Sequence, residues 1–219
     1  MSLELIASDI AKKYESGQVL QECSFSFREC GLYVLMGPNG SGKSTFLRIC
    51  ALLEEPDRGD VRFYRGGSRV EKDISLRRRI TLLLPKIGVF NGTVFGNVAY
   101  GLRIRGLQRD DIKKQAMKAL DFVGLGGKNR QMALTLSSGE TQRLGIARAL
   151  AIEPEIFFLD EPTASIDHKN TAIVEDILLR LKKDKKSIVI MTTHDTAQAE
   201  RLADTILIMQ DGKLLTQSA

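Results

Sequence analysis

The chain is poor in cysteine and lacks any long apolar run. Its three cysteines, Cys23, Cys30 and Cys50, are an odd number with no CxxC pair, which argues against a disulfide framework and against a thiolate zinc site. All three are expected to be reduced and buried. No hydrophobic run approaches the roughly 18 residues needed to cross a bilayer, because Ile156 to Leu159 and Ile188 to Met191 soon meet polar residues. The start Met1-Ser2-Leu3-Glu4 has neither the basic stretch nor the apolar core of a secretory signal, so the chain is expected in the cytosol. Repeats and low-complexity tracts are absent too, which excludes a solenoid. Nor does charge of one sign dominate: 32 Lys and Arg are scattered among 27 Asp and Glu, for a net +5, a mixed solvated surface rather than a nucleic-acid face. Two basic clusters, Arg77-Arg78-Arg79 and Lys182, Lys183, Lys185 and Lys186, stand out. The second closes a helical pattern where cations suit the dipole, and no nucleic-acid partner is expected for either.

At 219 residues, 43% hydrophobic and 27% charged, the chain can bury one substantial core. Cys23, Phe25 and Phe27 alternate with polar residues as in a half-buried strand, and Leu32 to Met36 is a short unbroken run that suits a strand buried on both faces. After Gly42 a helix pattern carries Phe46, Leu47, Ile49 and Cys50 and ends before Pro56. Ile80 to Leu84, Ile156 to Leu159 and Ile188 to Thr192 read as further buried strands. Between the first two of these, residues of about 86 to 145 form a helical insertion, in which Asp110 is expected to cap a helix carrying Ile112, Ala116, Leu120 and Val123. Ile206 to Ile208, Asp211-Gly212 and Leu214-Leu215 give a hairpin signal. The expected fold class is α/β: a mostly parallel sheet core, an antiparallel β part and an inserted helical subdomain, within one domain of residues 1 to 219.

Gly37-Pro38-Asn39-Gly40-Ser41-Gly42-Lys43-Ser44 satisfies GxxxxGK[ST] and sits between a predicted strand and a predicted helix, the context that confirms a phosphate-binding loop. Its glycines let backbone N–H groups converge on phosphate oxygens, Lys43 supplies a point charge to β/γ-phosphates, and Ser44 can ligate Mg²⁺. At the end of the strand Ile156 to Leu159, Asp160 and Glu161 provide a second carboxylate pair: Asp160 to hold Mg²⁺, Glu161 to polarise an attacking water. Ser137-Ser138-Gly139-Glu140 opens another helix pattern, and Ser137 with Glu140 fits a capping box. A serine-glycine helix start can also receive a phosphate presented by another chain.

Over essentially its whole length the sequence resembles the ATP-binding subunits of ABC transporters, a P-loop NTPase fold with a RecA-like core. Tyr14 matches the aromatic residue on which adenine stacks, Gly37 to Ser44, followed by Thr45, the Walker A loop, Leu136 to Glu140 the signature motif and Phe157 to Glu161 the Walker B strand. Asp167 in Ser165-Ile166-Asp167 matches the D-loop, and His194 the switch histidine. The resemblance implies a head-to-tail dimer of two ATPase subunits, identical or not, with each ATP lying between the P-loop of one and Ser137 and Gly139 of the other. It further implies transmembrane permease subunits as partners, a solute-binding protein if the system imports, and a place on the cytoplasmic face of the membrane. Thr93 to Leu102 looks like the corresponding stretch of inorganic-anion importers of the phosphate, molybdate or tungstate kind.

Two positions depart from the family's pattern. Pro85 falls where the Q-loop glutamine belongs and brings neither a side-chain oxygen nor an N–H. Ser138 replaces a glycine, at a cost of about 1 kcal/mol if φ is positive there and none if the position is helical. Both suggest the rival reading, a nucleotide-binding regulatory module that hydrolyses ATP weakly or not at all. A third reading, a non-transport ABC protein acting on DNA or ribosomes, lacks the fused cassettes or long coiled-coil insertions it would require. Lys43, Ser44, Asp160, Glu161 and His194 are all retained, which favours a working ATPase.

Overall fold

The long β-rich opening of the chain folds because its apolar residues alternate. The computed structural model describes residues 2–15 and 17–216, so Met1 of the opening stretch lies outside the described residues. The chain divides into two compact units, the first made of Met1–Leu82, Glu155–Glu161 and Leu179–Ala219, the second of Leu83–Pro154 and Pro162–Leu178. In the first, β1 (Leu3–Tyr14) pairs antiparallel with β2 (Gly17–Phe27) and with β4 (Arg58–Arg65), and β5 (Ser68–Val70) adds at the edge, giving the order β2-β1-β4-β5. Alternation places Cys23 and Phe27 inward, and an irregularity at Glu22, whose φ is 54°, brings Leu20 to the same side.

The second sheet has the order β10-β9-β3-β8-β7-β6, from β3 (Gly31–Met36), β6 (Ile80–Leu83), β7 (Ile156–Leu159), β8 (Ile188–Thr193), β9 (Thr205–Gln210) and β10 (Lys213–Thr216). β3 is parallel to β8 and β9, β7 is parallel to β8, and β10 returns antiparallel to β9 through Asp211-Gly212. Helix α1 (Lys43–Cys50) buries Phe46, Leu47, Ile49 and Cys50 in a core shared with residues of both sheets, including Leu5, Phe27, Leu35, Phe63, Phe158 and Ile190. β3, β7 and β8 are interior strands of the sheet and are buried almost throughout, which is why they are predominantly apolar up to Thr192 and Thr193 at the end of β8. Two short helices, α2 (Ile74–Arg77) and α7 (Thr196–Leu202), are each capped by an aspartate, Asp73 and Asp195. Lys182, from the second basic cluster, donates to the carbonyls of Leu202 and Ala203 at 2.9 Å and so satisfies the end of α7.

The second unit holds α3 (Val94–Ile104), α4 (Arg109–Phe122), α5 (Ser138–Ala151) and the start of α6 (His168–Asp184). Helices α3, α4 and α5 pack on one another, and Val98, Leu102, Ala116, Leu120, Leu144 and Ala147 along them are all buried. Thr93 caps α3 by accepting from the Gly96 N–H at 3.0 Å. Buried Asn97 exchanges hydrogen bonds with the Phe90 backbone in both directions, 2.8 and 3.1 Å, and so fixes the segment ahead of that cap.

Three expectations need correction. Asp110 does not cap α4: the N-cap is Gln108, without a side-chain bond, and Asp110 lies in the first turn, where its charge favours the dipole instead. β6 stops at Leu83 and is only partly buried, with Leu84 beyond it 48% exposed, because a strand at the sheet edge is covered on one side only. Cys30 is half-buried in the β2–β3 turn, whereas Cys23 and Cys50 are buried and all three thiols are free. His168 opens α6 and is exposed, as a solvated helix-start residue should be.

Candidate functional site

The phosphate-loop motif begins where β3 ends, and Gly37 shows why the loop needs glycine. Its φ is +155°, and a Cβ there would stand 2.1 Å from the Met209 carbonyl oxygen of β9, so the chain leaves the sheet along a path open only to glycine. Pro38, Asn39 and Gly40 are exposed, and Ser41, Gly42 and Lys43 turn inward. No side chain caps α1 and its first turn carries no acid, which leaves its N–H groups and positive end for an anion. The Ser41 Oγ is buried with no hydrogen-bond partner, the kind of atom an incoming phosphate oxygen satisfies. Lys43 is only 4% exposed, and its Nζ donates to the carbonyls of Gly37 (2.8 Å) and Pro38 (2.9 Å).

Parallel pairing brings the acidic pair to the same edge. Met36 stands opposite Thr193 and Leu159 opposite Met191, so β3, β7 and β8 end together, the edge at which ligands bind in such sheets. Asp160, 4% exposed, accepts from the Ser44 Oγ at 2.9 Å and from the Thr192 Oγ at 2.8 Å. Thr192 in turn accepts from the Glu161 N–H at 2.8 Å. Glu161 takes a left-handed backbone, φ 46°, which a glutamate adopts only when its surroundings hold it there. Its carboxylate lies 3.9 Å from Lys43 Nζ and 3.8 Å from His194 Nδ1. The His194 side chain is 56% exposed.

Sequence reasoning placed Thr192 at the end of a strand and in the stretch Thr192-Thr193-His194-Asp195 but gave it no role. Fully buried, its hydroxyl joins Asp160 to the Glu161 N–H. Thr192→Val keeps the shape but strands the Glu161 N–H and leaves the Asp160 carboxylate with the Ser44 hydroxyl alone, and is expected to cost about 1–3 kcal/mol. Calorimetry should then find Tm lowered by about 2–4 °C per kcal/mol. An unchanged melting temperature would contradict this account of Thr192.

Tyr14 is exposed, yet its hydroxyl is tied down. It donates to Glu54, whose other oxygen accepts from Arg48 Nε at 3.1 Å, and Arg48 donates to the Thr45 hydroxyl at 3.1 Å. The ammonium of Lys12 sits 5.7 Å from the ring centroid. Partial burial pushes the Glu54 carboxyl up, but the Tyr14 hydroxyl and Arg48 guanidinium outweigh it and hold Glu54 below the ordinary carboxylate range. The aromatic ring is thereby linked to the phosphate-loop helix through Glu54 and Arg48, a connection that leaves no mark in the sequence.

In the second unit, Ser137 accepts from the Glu140 N–H at 3.3 Å while Glu140 accepts from the Ser137 N–H at 3.1 Å, a complete capping box. Lys128, bonded to Glu140 at 2.5 Å, is the chief reason that carboxyl lies below the usual range, with the Ser137 N–H adding to it. Ser138 is the first residue of α5 and has no positive φ, so serine costs nothing in place of glycine there. Asp167 accepts from the Asn170 N–H at 2.8 Å, and this bond is the chief reason its carboxyl lies below the usual range. Pro85 and Lys86 are exposed, outside any helix or strand. Among the described residues no helix is long and apolar enough to cross a membrane.

A family model described as ABC transporter matches residues 20–164. The chain is 34% identical over 212 residues to the tungstate uptake system ATP-binding protein TupC of Peptoclostridium acidaminophilum, covering 97% of each. It is 33% identical over 225 residues to the phosphate import ATP-binding protein PstB 2 of Natronomonas pharaonis, covering 96% of this chain and 78% of the relative. Among solved structures it superposes on cbiO1 from Clostridium perfringens, described as part of the ABC transporter complex cbiONQ. The TM-score is 0.87 at 24% identity, over 100% of this chain and 89% of the other. That likeness speaks for the ABC-type P-loop fold. Joined to a phosphate loop, an acidic strand end and a capped serine-glycine helix, these matches establish that the chain belongs to the ABC transporter family, as one of its ATP-binding, ATP-hydrolysing subunits.

Proposed function

We propose that this subunit powers import of an inorganic oxyanion through separate permease subunits, by closing head to tail on ATP with a second ATPase subunit. The observation that carries the hydrolytic part is the single edge on which Lys43, Ser44, Asp160, Glu161 and His194 meet. In this reading the loop from Gly37 to Thr45 wraps the phosphates of ATP, Lys43 exchanges its carbonyl partners for β/γ-phosphate oxygens, and Tyr14 stacks on adenine. A buried carboxylate beside a hydroxyl is a hard oxygen donor set, so Asp160 and Ser44 fit Mg²⁺, which needs few protein ligands when phosphates and waters supply the rest. Held there by Asp160 and Ser44, the ion would supply positive charge against the phosphate oxygens. Glu161 then accepts a proton from the attacking water while His194 positions that water and the γ-phosphate. From the second subunit, Ser137, Ser138, Gly139 and Glu140 contribute the helix start that meets the γ-phosphate, with Asp167 beside it.

The helical segment of about 86 to 145, within one ABC ATPase domain, is assigned to contact with the permease on the cytoplasmic face of the membrane. Pro85, just ahead of that segment, removes the usual glutamine from the connection to it but takes no group from the edge that carries Glu161. The oxyanion assignment is supported by relatives named for tungstate and phosphate, and a solute-binding protein follows from import. The test is steady-state hydrolysis of Mg²⁺-ATP at rising chain concentration. Turnover is expected to rise more than linearly, since two chains make each site. Turnover no higher than that of a Glu161→Gln chain would instead favour the regulatory module.

A further inference from the structure

Gly139 stands one residue into α5 and has no positive φ, so backbone freedom does not explain it. Space does. A Cβ at this position would lie 2.1 Å from Asn170 Cγ, 2.4 Å from its Oδ1 and 2.5 Å from its Cβ. The Asn170 side chain therefore occupies the place a larger residue would need. It is also fixed from the other side: its Nδ2 donates to both Asp167 carboxylate oxygens, at 3.1 and 2.9 Å, and its N–H donates to Asp167 at 2.8 Å. Asp167 further accepts through its own carbonyl from the Thr171 N–H at 2.8 Å, which closes the first turn of α6. One amide thus seats the start of α5 on the start of α6.

We propose that Asn170 is a positioning residue for ATP hydrolysis, holding Ser137, Ser138 and Gly139 in register with Asp167 so that the helix start meets the γ-phosphate bound by the other subunit. This rests on the head-to-tail reading above. Asn170 touches no phosphate itself. Its effect is confined to the closed dimer, and nucleotide binding by a single chain, which uses Lys43 and the loop around it, does not depend on it.

Asn170→Leu keeps the bulk and removes the amide, and Asn170→Asp keeps the shape but sets a second carboxylate against Asp167. Both are expected to lower kcat about tenfold, the worth of a hydrogen bond to a charged group, with the monomer's affinity for a fluorescent ATP analogue unchanged. In a Glu161→Gln background both should raise the protein concentration needed for ATP-driven dimerisation by a similar factor. Gly139→Ala should lose more, about 10–100-fold, through overpacking, and Gly139→Ala with Asn170→Gly should recover part of that loss by vacating the space. Near-parental kcat and dimerisation in both Asn170 variants, or a double variant no better than Gly139→Ala, would overturn the proposal. Should the Glu161→Gln parent itself stay monomeric with ATP, the head-to-tail reading fails and this inference falls with it, whereas a dimerising parent with unaffected Asn170 variants removes the inference alone.

Discussion

Replacing Glu161 by Gln is expected to lower kcat for ATP hydrolysis by about 100-fold or more, the usual scale for removing a general base, while ATP still binds. The fold should not notice the change. The N–H that bonds Thr192 at 2.8 Å is backbone, the left-handed φ of 46° is equally open to glutamine, and the side chain keeps its volume. What disappears is the negative charge 3.9 Å from Lys43 and 3.8 Å from His194. Single-turnover kinetics with equilibrium ATP binding separates the two effects. Parental kcat in this variant would mean that the water is activated by another group.

Gly37→Ala is expected to weaken ATP binding at least tenfold and to lower Tm as well. The added methyl would stand 2.1 Å from the Met209 carbonyl oxygen and 2.9 Å from the Ser41 Oγ. The first neighbour is backbone in a paired strand and cannot swing aside, so the loop itself has to shift. Because Lys43 and the first N–H groups of α1 are placed by that loop, a displacement of about 1 Å is enough to lose converging phosphate contacts. Isothermal titration with ATP and a thermal melt test both halves of the expectation; parental affinity would show that the loop tolerates another path.

The parts of the site that the sequence made legible are those with fixed local spacing. The phosphate loop, the strand ending in Asp160-Glu161, the Ser137/Glu140 capping box and the Asp211-Gly212 hairpin each depend on residues a few positions apart, and each forms as expected. What stayed hidden depends on contacts across the fold. A threonine ending an apolar strand reads as packing until Asp160 and Glu161, on another strand, are placed beside it. Asn170 reads as an ordinary helix-start residue until Gly139 is found against its amide. Glu54 and Arg48 read as surface charges until Tyr14 and Thr45 close the chain between them. The misreadings have a similar cause. Asp110 satisfied the composition rule for a cap, but helix ends depend on the backbone of neighbouring turns, and Ile80 to Leu84 matched a buried strand in composition although its edge position exposes Leu84.

Closure of two chains around ATP is the claim on which the transport cycle rests: ATP favours the closed pair and loss of the γ-phosphate releases it. It is tested most directly by light scattering on the Glu161→Gln chain with Mg²⁺ and either ATP or ADP. Twice the 24.3 kDa mass of one chain is expected with ATP and the single-chain mass with ADP. One mass in both nucleotides, whether single or double, would contradict it.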